Sequence, residues 1–300
     1  MVFGAIDIGS NAGRLLIASV HEVGGKTITE KVSLVRVPLR LGIDVFETGV
    51  ITPEKEEYLL KTFDAYKNLI NVFQPIDIVA CGTAAMREAF NSKEIVERIK
   101  QEKDIDLRII DGIQEAKIIC EADNAYLEKK HEYSLYIDVG GGSTELSWFQ
   151  NKQLLDCRSF KIGTIRLLYD AIDKSDWDDL KKWINNLELE DKEINCICSG
   201  GNINKITKLF GNNSRNTLTH TQLIDAHTYL EGYSIEDRIE KMGLRADRAD
   251  VIVPAAIIFK KIMGWGRIHD LQAPKIGLAD GLIIDLYHKY HEKRTILKYS

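Results

Sequence analysis

Two stretches of this chain pair an aspartate with a turn of small residues, and each is a near copy of the other. The first is Ala5-Ile6-Asp7-Ile8-Gly9-Ser10-Asn11. The second is Tyr136-Ile137-Asp138-Val139-Gly140-Gly141-Gly142-Ser143-Thr144. In both, an apolar strand carries a carboxylate, a glycine and hydroxyl turn follows, and a second apolar run returns (Leu15 to Val20, Leu146 to Phe149). This spacing predicts a β-hairpin whose tip presents backbone N–H groups beside a carboxylate. Small residues let the backbone approach an anion closely, and N–H groups at such a tip can cradle phosphate oxygens. An aspartate there can hold a divalent cation against the same oxygens, directly or through water. Asp7, Gly9, Ser10 and Asn11 are therefore candidate phosphate-binding residues, as are Gly140, Gly141, Gly142, Ser143 and Thr144. One hairpin in each half of the chain predicts two lobes that close on a phosphate chain from opposite sides.

The elements that must position these tips are legible in outline. Residues 2–8, 14–21 and 27–37 read as a three-stranded meander with Gly24-Gly25 as a turn. Thr52-Pro53 reads as an N-cap followed by proline at the first helical position, opening a helix over 53–73. A short buried strand at 76–81, a helix at 92–103, a strand at 107–110 and a helix at 114–129 follow. The strand-first pattern then restarts, with strands at 134–138, 145–149 and 154–160 and a later strand at 194–198. The order β-β-β-α-β-α-β-α, stated twice, is that of a duplicated α/β domain. The expected domains are 1–124 and 125–300, with a cleft between them. A C-terminal helix over 280–293 is available to pack back on the first.

Composition narrows the classes. A chain of 300 residues with 44% hydrophobic and 28% charged residues is expected to be soluble and globular, and long enough for two domains. No apolar stretch approaches the ~20 residues of a membrane span, so no membrane association is expected. The chain opens on a strand with no basic leader, from which a cytoplasmic protein is expected. The five cysteines lie in apolar contexts without a C-x-x-C pair and read as buried thiols. A net charge of −5 argues against nucleic-acid binding. The histidines show no ligand spacing, so a metal would be held by oxygen, which favours Mg²⁺ or Mn²⁺ over Zn²⁺.

Duplicated strand–Asp–Gly hairpins resemble the actin-like ATPase superfamily of ribonuclease H-like domains, which includes sugar kinases, Hsp70 and acetate kinase. Within it, the chain is similar to the exopolyphosphatase and guanosine pentaphosphate phosphatase (Ppx/GppA) family. The motifs that carry this resemblance are Asp7-Ile8-Gly9-Ser10-Asn11, Val37-Pro38-Leu39-Arg40-Leu41-Gly42 and Gly82-Thr83-Ala84-Ala85-Met86-Arg87-Glu88-Ala89. They continue with Gln114-Glu115-Ala116, Asp138 through Leu146, Gly163-Thr164-Ile165-Arg166-Leu167, Arg248-Ala249-Asp250-Val251 and Gly277-Leu278-Ala279-Asp280-Gly281-Leu282. The family usually shows Gly-Glu-Glu-Ala where this chain has Gly112-Ile113-Gln114-Glu115-Ala116, and often an arginine where it has Ala279. Longer members add a helical HD-type domain. A chain ending at Ser300 is expected to lack it, and so to show modest processivity.

The resemblance implies release of terminal orthophosphate from linear polyphosphate, with Mg²⁺ (or Mn²⁺) assistance. Guanosine pentaphosphate 5′-hydrolysis is the alternative. A small-molecule kinase and a non-catalytic nucleotide sensor are further ones. On its own, Glu115 reads as a carboxylate that complements a helix dipole. The resemblance makes it the general base that deprotonates the attacking water. Asp138 is assigned to the metal or the water, and Glu145 to supporting the metal; all three are the candidate catalytic set. Arg87 and Arg166 are candidate phosphate ligands. Arg14, Arg40, Lys161, Arg245, Arg248 and Arg267 are further candidates for an anion track. Ser199-Gly200-Gly201-Asn202 stands where kinases of the superfamily hold adenosine, and otherwise reads as a tight turn. A homodimer is compatible with all of this.

Overall fold

A computed structural model of the chain describes residues 1–122, 131–190 and 192–299. It divides into two compact units, one of Met1–Asp123 with Gly277–Ser300 and one of Asn124–Ile276. The boundary expected at 124/125 and the last turns of the helix expected to reach Lys129 lie outside the described residues.

The first unit opens with β1 (Val2–Ile8), β2 (Gly13–Val23) and β3 (Lys26–Val37), followed by α1 (Leu41–Thr48), α2 (Pro53–Phe73) and β4 (Ile78–Gly82). Then come α3 (Ala84–Glu88), α4 (Ser92–Lys103), β5 (Leu107–Ile109) and α5 (Gly112–Ala122). The sheet order is β3-β2-β1-β4-β5, antiparallel through β1 and parallel beyond it. Its centre is β1, six of whose seven residues are buried, as a strand covered on both faces must be. Helix α2 begins where its cap says it should: the Thr52 hydroxyl accepts from the Lys55 N–H and Pro53 follows.

The second unit restates this plan. It runs β6 (Tyr133–Val139), β7 (Thr144–Gln150), β8 (Gln153–Phe160), α6 (Thr164–Leu168), α7 (Lys174–Asn186), β9 (Ile194–Ser199) and α8 (Gly201–Phe210). After these come β10 (Thr217–Thr219), α9 (His220–Glu231), α10 (Ile235–Glu240), α11 (Ala246–Ala249), α12 (Ile252–Trp265) and β11 (Asp270–Gln272). The sheet order is β10-β11-β9-β6-β7-β8. The place of β5 is taken here by β11, which pairs parallel to β9, while β10 closes the edge antiparallel to β11. Each unit has its own apolar core, around Phe63 and Tyr66 in the first and Trp183 and Phe259 in the second. The two units repeat one α/β plan, the duplication that the sequence predicts. Among the described residues no helix is long and apolar enough to cross a membrane.

The last helix, α13 (Leu278–Tyr299), belongs to the first unit and packs on β1 and α5. Its approach to α5 is set by glycine: a Cβ on Gly281 would lie 2.0 Å from the Ile118 carbonyl oxygen. Ala279, on the first turn of the same helix, is buried. Asp280 pairs with Lys31 at 2.8 Å, and burial pushes its carboxyl above the usual carboxylate range while Lys31 pulls it back down. Gly281→Ala should therefore lower unfolding free energy by about 1–3 kcal/mol through overpacking, despite alanine's better helix propensity. Gly277→Ala, where a Cβ meets open space, should stay within about 0.5 kcal/mol of the parent. Denaturant titration of both variants checks this.

Candidate functional site

In the second unit, β6 and β7 meet antiparallel with Val139 opposite Thr144 and Asp138 opposite Glu145. The turn between them is closed by the Gly140 N–H, which donates to the Ser143 carbonyl at 2.9 Å. Entry into α6 then anchors the tip. The Thr164 and Ile165 N–H groups donate to the carbonyls of Gly140 and Gly141 at 3.0 and 2.9 Å, and Arg166 Nε donates to the Gly142 carbonyl at 2.7 Å. The N–H groups at this helix entry are thus spent on the hairpin, because the chain runs directly over the tip. In a trans peptide the C=O and N–H oppose each other. With three successive carbonyls turned toward residues 164–166, the N–H groups of Gly141, Gly142 and Ser143 face the other way, as a phosphate cradle requires. Only glycine fits at 163: a Cβ there would lie 2.3 Å from the Gly141 carbonyl oxygen. The Thr144 hydroxyl donates to the Ile162 carbonyl at 2.6 Å and so tethers β7 to the same crossing segment.

Asp138 and Glu145 are directly opposed in register and therefore share a face of the sheet. They bring carboxylate oxygens within 4.8 Å of each other. Glu145 is 1% exposed. Like charges directly opposite on neighbouring strands are destabilising, and burial raises that cost. A shared cation removes it, and an all-oxygen donor set suits a hard ion such as Mg²⁺ or Mn²⁺. The residues present therefore fit the metal that the sequence led us to expect. Two serines complete the row. Ser199 on β9 donates to Asp138 Oδ1, and Ser159 on β8 donates to Glu145 Oε1 at 2.7 Å.

The hairpin of the first unit is closed in the same way, the Gly9 N–H donating to the Ala12 carbonyl at 3.1 Å. The register partner of buried Asp7, however, is Arg14, and the two form an ion pair across the strands. The rest of the tip is woven into its neighbours. The Ser10 hydroxyl accepts from the Ala85 N–H at 3.2 Å, and the Asn11 and Ser10 carbonyls accept from the Arg40 and Gly42 N–H groups, each at 2.9 Å. Arg40 holds φ +54°, an uncommon conformation for a residue with a Cβ, and it is what carries the chain past the tip into α1.

Glu115 lies in the first turn of α5, and its residue is 7% exposed. A reciprocal box starts that helix: the Gln114 N–H donates to Asp111 Oδ1 at 2.8 Å, and the Asp111 N–H donates to Gln114 Oε1 at 3.2 Å. Glutamine serves that role as well as glutamate, so losing an acidic residue at 114 leaves the helix start intact. Arg87 Nη1 donates to the Ile110 carbonyl at 2.7 Å and stands 3.8 Å from Glu115 Oε2. Arg87 thus fixes the approach to α5 and stands beside its carboxylate.

Of the other basic candidates, Arg245 and Arg267 pair with Asp247 and Glu190. A Cβ on Gly201 would lie 3.0 Å from Arg248 Nη2. All five cysteines are free thiols. Burial pushes Cys81 up to about 12 and Cys198 well above its ordinary value, so neither supplies a thiolate nucleophile at neutral pH. Sequence reasoning singled out every carboxylate of the site but gave two of their partners other roles, Arg14 in an anion track where it pairs with Asp7 and Ser199 in a turn where it bonds Asp138, and it missed Ser159, the partner of Glu145. Only the strand register, once known, points to them.

Comparison with known proteins gives the chain a family and a fold. The model of the Ppx/GppA phosphatase family matches residues 16–290. Exopolyphosphatase 1 of Mycobacterium tuberculosis (strain ATCC 25618 / H37Rv) is 25% identical over 309 residues, covering 95% of this chain and 88% of that protein. Its counterpart in Mycobacterium leprae is 23% identical over a similar span. Among solved structures, an exopolyphosphatase from Cytophaga hutchinsonii shares the fold with a TM-score of 0.81 at 21% identity, covering 95% of this chain and 98% of that one. The Aquifex aeolicus Ppx/GppA family member does so with a TM-score of 0.75 at 24% identity, covering 97% and 98%. With the family model matched over nearly its whole length, the chain belongs to the Ppx/GppA phosphatase family.

Proposed function

We propose that this phosphatase is an exopolyphosphatase that releases terminal orthophosphate from linear inorganic polyphosphate. The observation that carries this is the opposed pair Asp138 and Glu145 beside a glycine cradle, in a chain whose mycobacterial relatives bear that name. Hydrolysing a phosphoanhydride needs little covalent work from a protein; it needs an in-line water, a base, and positive charge on the oxygens. The N–H groups of residues 141–143 receive the terminal phosphate. Glu115 takes a proton from water as its oxygen bonds to the terminal phosphorus. The bridging P–O bond breaks, and the chain leaves shorter by one phosphate with the electron pair on its new terminal oxygen. Asp138 and Glu145 would hold Mg²⁺ or Mn²⁺, whose charge would offset that of the phosphate oxygens. Five free cysteines suit action in the cytoplasm.

Guanosine pentaphosphate offers the same terminal anhydride and differs only in what lies beyond the first phosphates. Orthophosphate release measured side by side should be faster, per enzyme, from long polyphosphate than from guanosine pentaphosphate. The reverse order would move the assignment to the nucleotide. Release from neither, with ADP formed from ATP and an acceptor, would make the chain a kinase.

Glu115→Gln keeps size and removes the base. Its kcat should fall by ~100-fold or more while polyphosphate binding is retained. Steady-state kinetics with an equilibrium binding assay tests this, and a kcat near that of the parent would take Glu115 out of the mechanism.

A further inference from the structure

Four residues form one row across four neighbouring strands of the second sheet. Ser199 on β9 is the register partner of Asp138 on β6, Asp138 that of Glu145 on β7, and Glu145 that of Ser159 on β8. The two outer hydroxyls donate to the two inner carboxylates. An ionised carboxylate only accepts, so each serine must spend its single proton on it, which fixes the carboxylate's rotamer. Ser199 is fully buried, on the strand end that precedes Gly200 with φ +118°.

The duplicated unit is an internal control. Its four equivalent positions are Cys81 on β4, Asp7 on β1, Arg14 on β2 and Arg36 on β3. There the aspartate faces a guanidinium and is neutralised within the sheet. Serines flank the central pair only in the unit where both central residues are acidic. A hydroxyl on each side orients a carboxylate without adding a charge of its own, which suits a site that must keep two carboxylates aimed at one cation.

We propose that Ser199 and Ser159 are positioning residues that orient Asp138 and Glu145 for a shared divalent cation. This rests on the metal reading of the proposed function. Groups that hydrogen-bond metal-ligating carboxylates typically change affinity by about 10–100-fold when removed. The roles of the two serines need not be equal, since Ser199 is buried and Ser159 lies at an exposed edge strand.

The test is Mn²⁺ titration calorimetry of the whole protein, without substrate, on the parent and on Ser159→Ala, Ser159→Thr, Ser199→Ala and the double alanine variant. Mn²⁺ affinity should fall about 10-fold in each single alanine variant and further in the double. Ser159→Thr, which keeps the hydroxyl, should bind like the parent. In polyphosphate hydrolysis, the alanine variants should need more Mg²⁺ for half-maximal rate, with kcat at saturating Mg²⁺ changed much less. Melting temperatures without metal identify any variant that fails to fold. Ser159→Ala, at an exposed position, keeps the test available if Ser199→Ala does not fold. Alanine variants that fold and bind Mn²⁺ like the parent overturn the proposal and leave the metal reading standing. A parent protein that binds no Mn²⁺ overturns both.

Discussion

Two carboxylates opposed across one register pair are the constraint on which the rest of the second unit turns. Asp138 and Glu145 cannot avoid each other, because the hairpin that joins β6 to β7 fixes the register, and the register fixes which side chains face. A positive charge beside such a pair, or a proton held on one carboxyl, relieves the repulsion. The first unit solves the same problem inside the protein, with Arg14 opposite Asp7. The second unit leaves the charge unneutralised by its own register partner and reinforces its geometry with flanking hydroxyls. The two hairpins differ in electrostatic character chiefly because the residue opposite the aspartate is an arginine in one and a glutamate in the other.

The surrounding fold serves to hold the hairpin tips still. In the second unit, α6 enters directly over the turn and consumes its carbonyls, and Gly163 makes that crossing possible. In the first unit, the residues before α1 and the start of α3 do comparable work on the Ser10-Asn11 tip. Glu115 is positioned by other means. A capping box starts α5, Arg87 ties the preceding loop, and α13 packs against the helix at the distance Gly281 allows. Rigid supports of this kind are what a hydrolytic site needs when its chemistry is mostly placement and charge.

Much of this was legible beforehand, for a local reason. Hairpins announce themselves by alternation and small residues, so both tips, the meanders and the hairpin carboxylates Asp7, Asp138 and Glu145 could be read from adjacent residues, while Glu115 stood out only through the family resemblance. Helix α2 was equally plain, since Thr52-Pro53 carries its own start signal. What could not be read depends on pairing between distant strands. Ser159 looks ordinary until β8 is placed beside β7, and Ser199 and Arg14 read as members of a turn and of an anion track until β9 and β2 bring them against Asp138 and Asp7. Strands β10 and β11, at three residues each, are too short to show a period. The glycines at 163 and 281 were visible as motif members. The carbonyl oxygens that exclude a side chain there, Gly141 and Ile118, become evident only when the elements are packed.

The asymmetry between the two hairpins can be seen directly by diffraction from crystals grown with Mn²⁺, recorded near the manganese absorption edge. An anomalous peak should lie within about 2–2.6 Å of carboxylate oxygens from Asp138 and Glu145, the range for hard-ion oxygen coordination, with none at the Arg14-paired Asp7. A peak at Asp7, or an ordered Asp138 and Glu145 pair with no peak beside it, would contradict the assignment of the metal to the second hairpin.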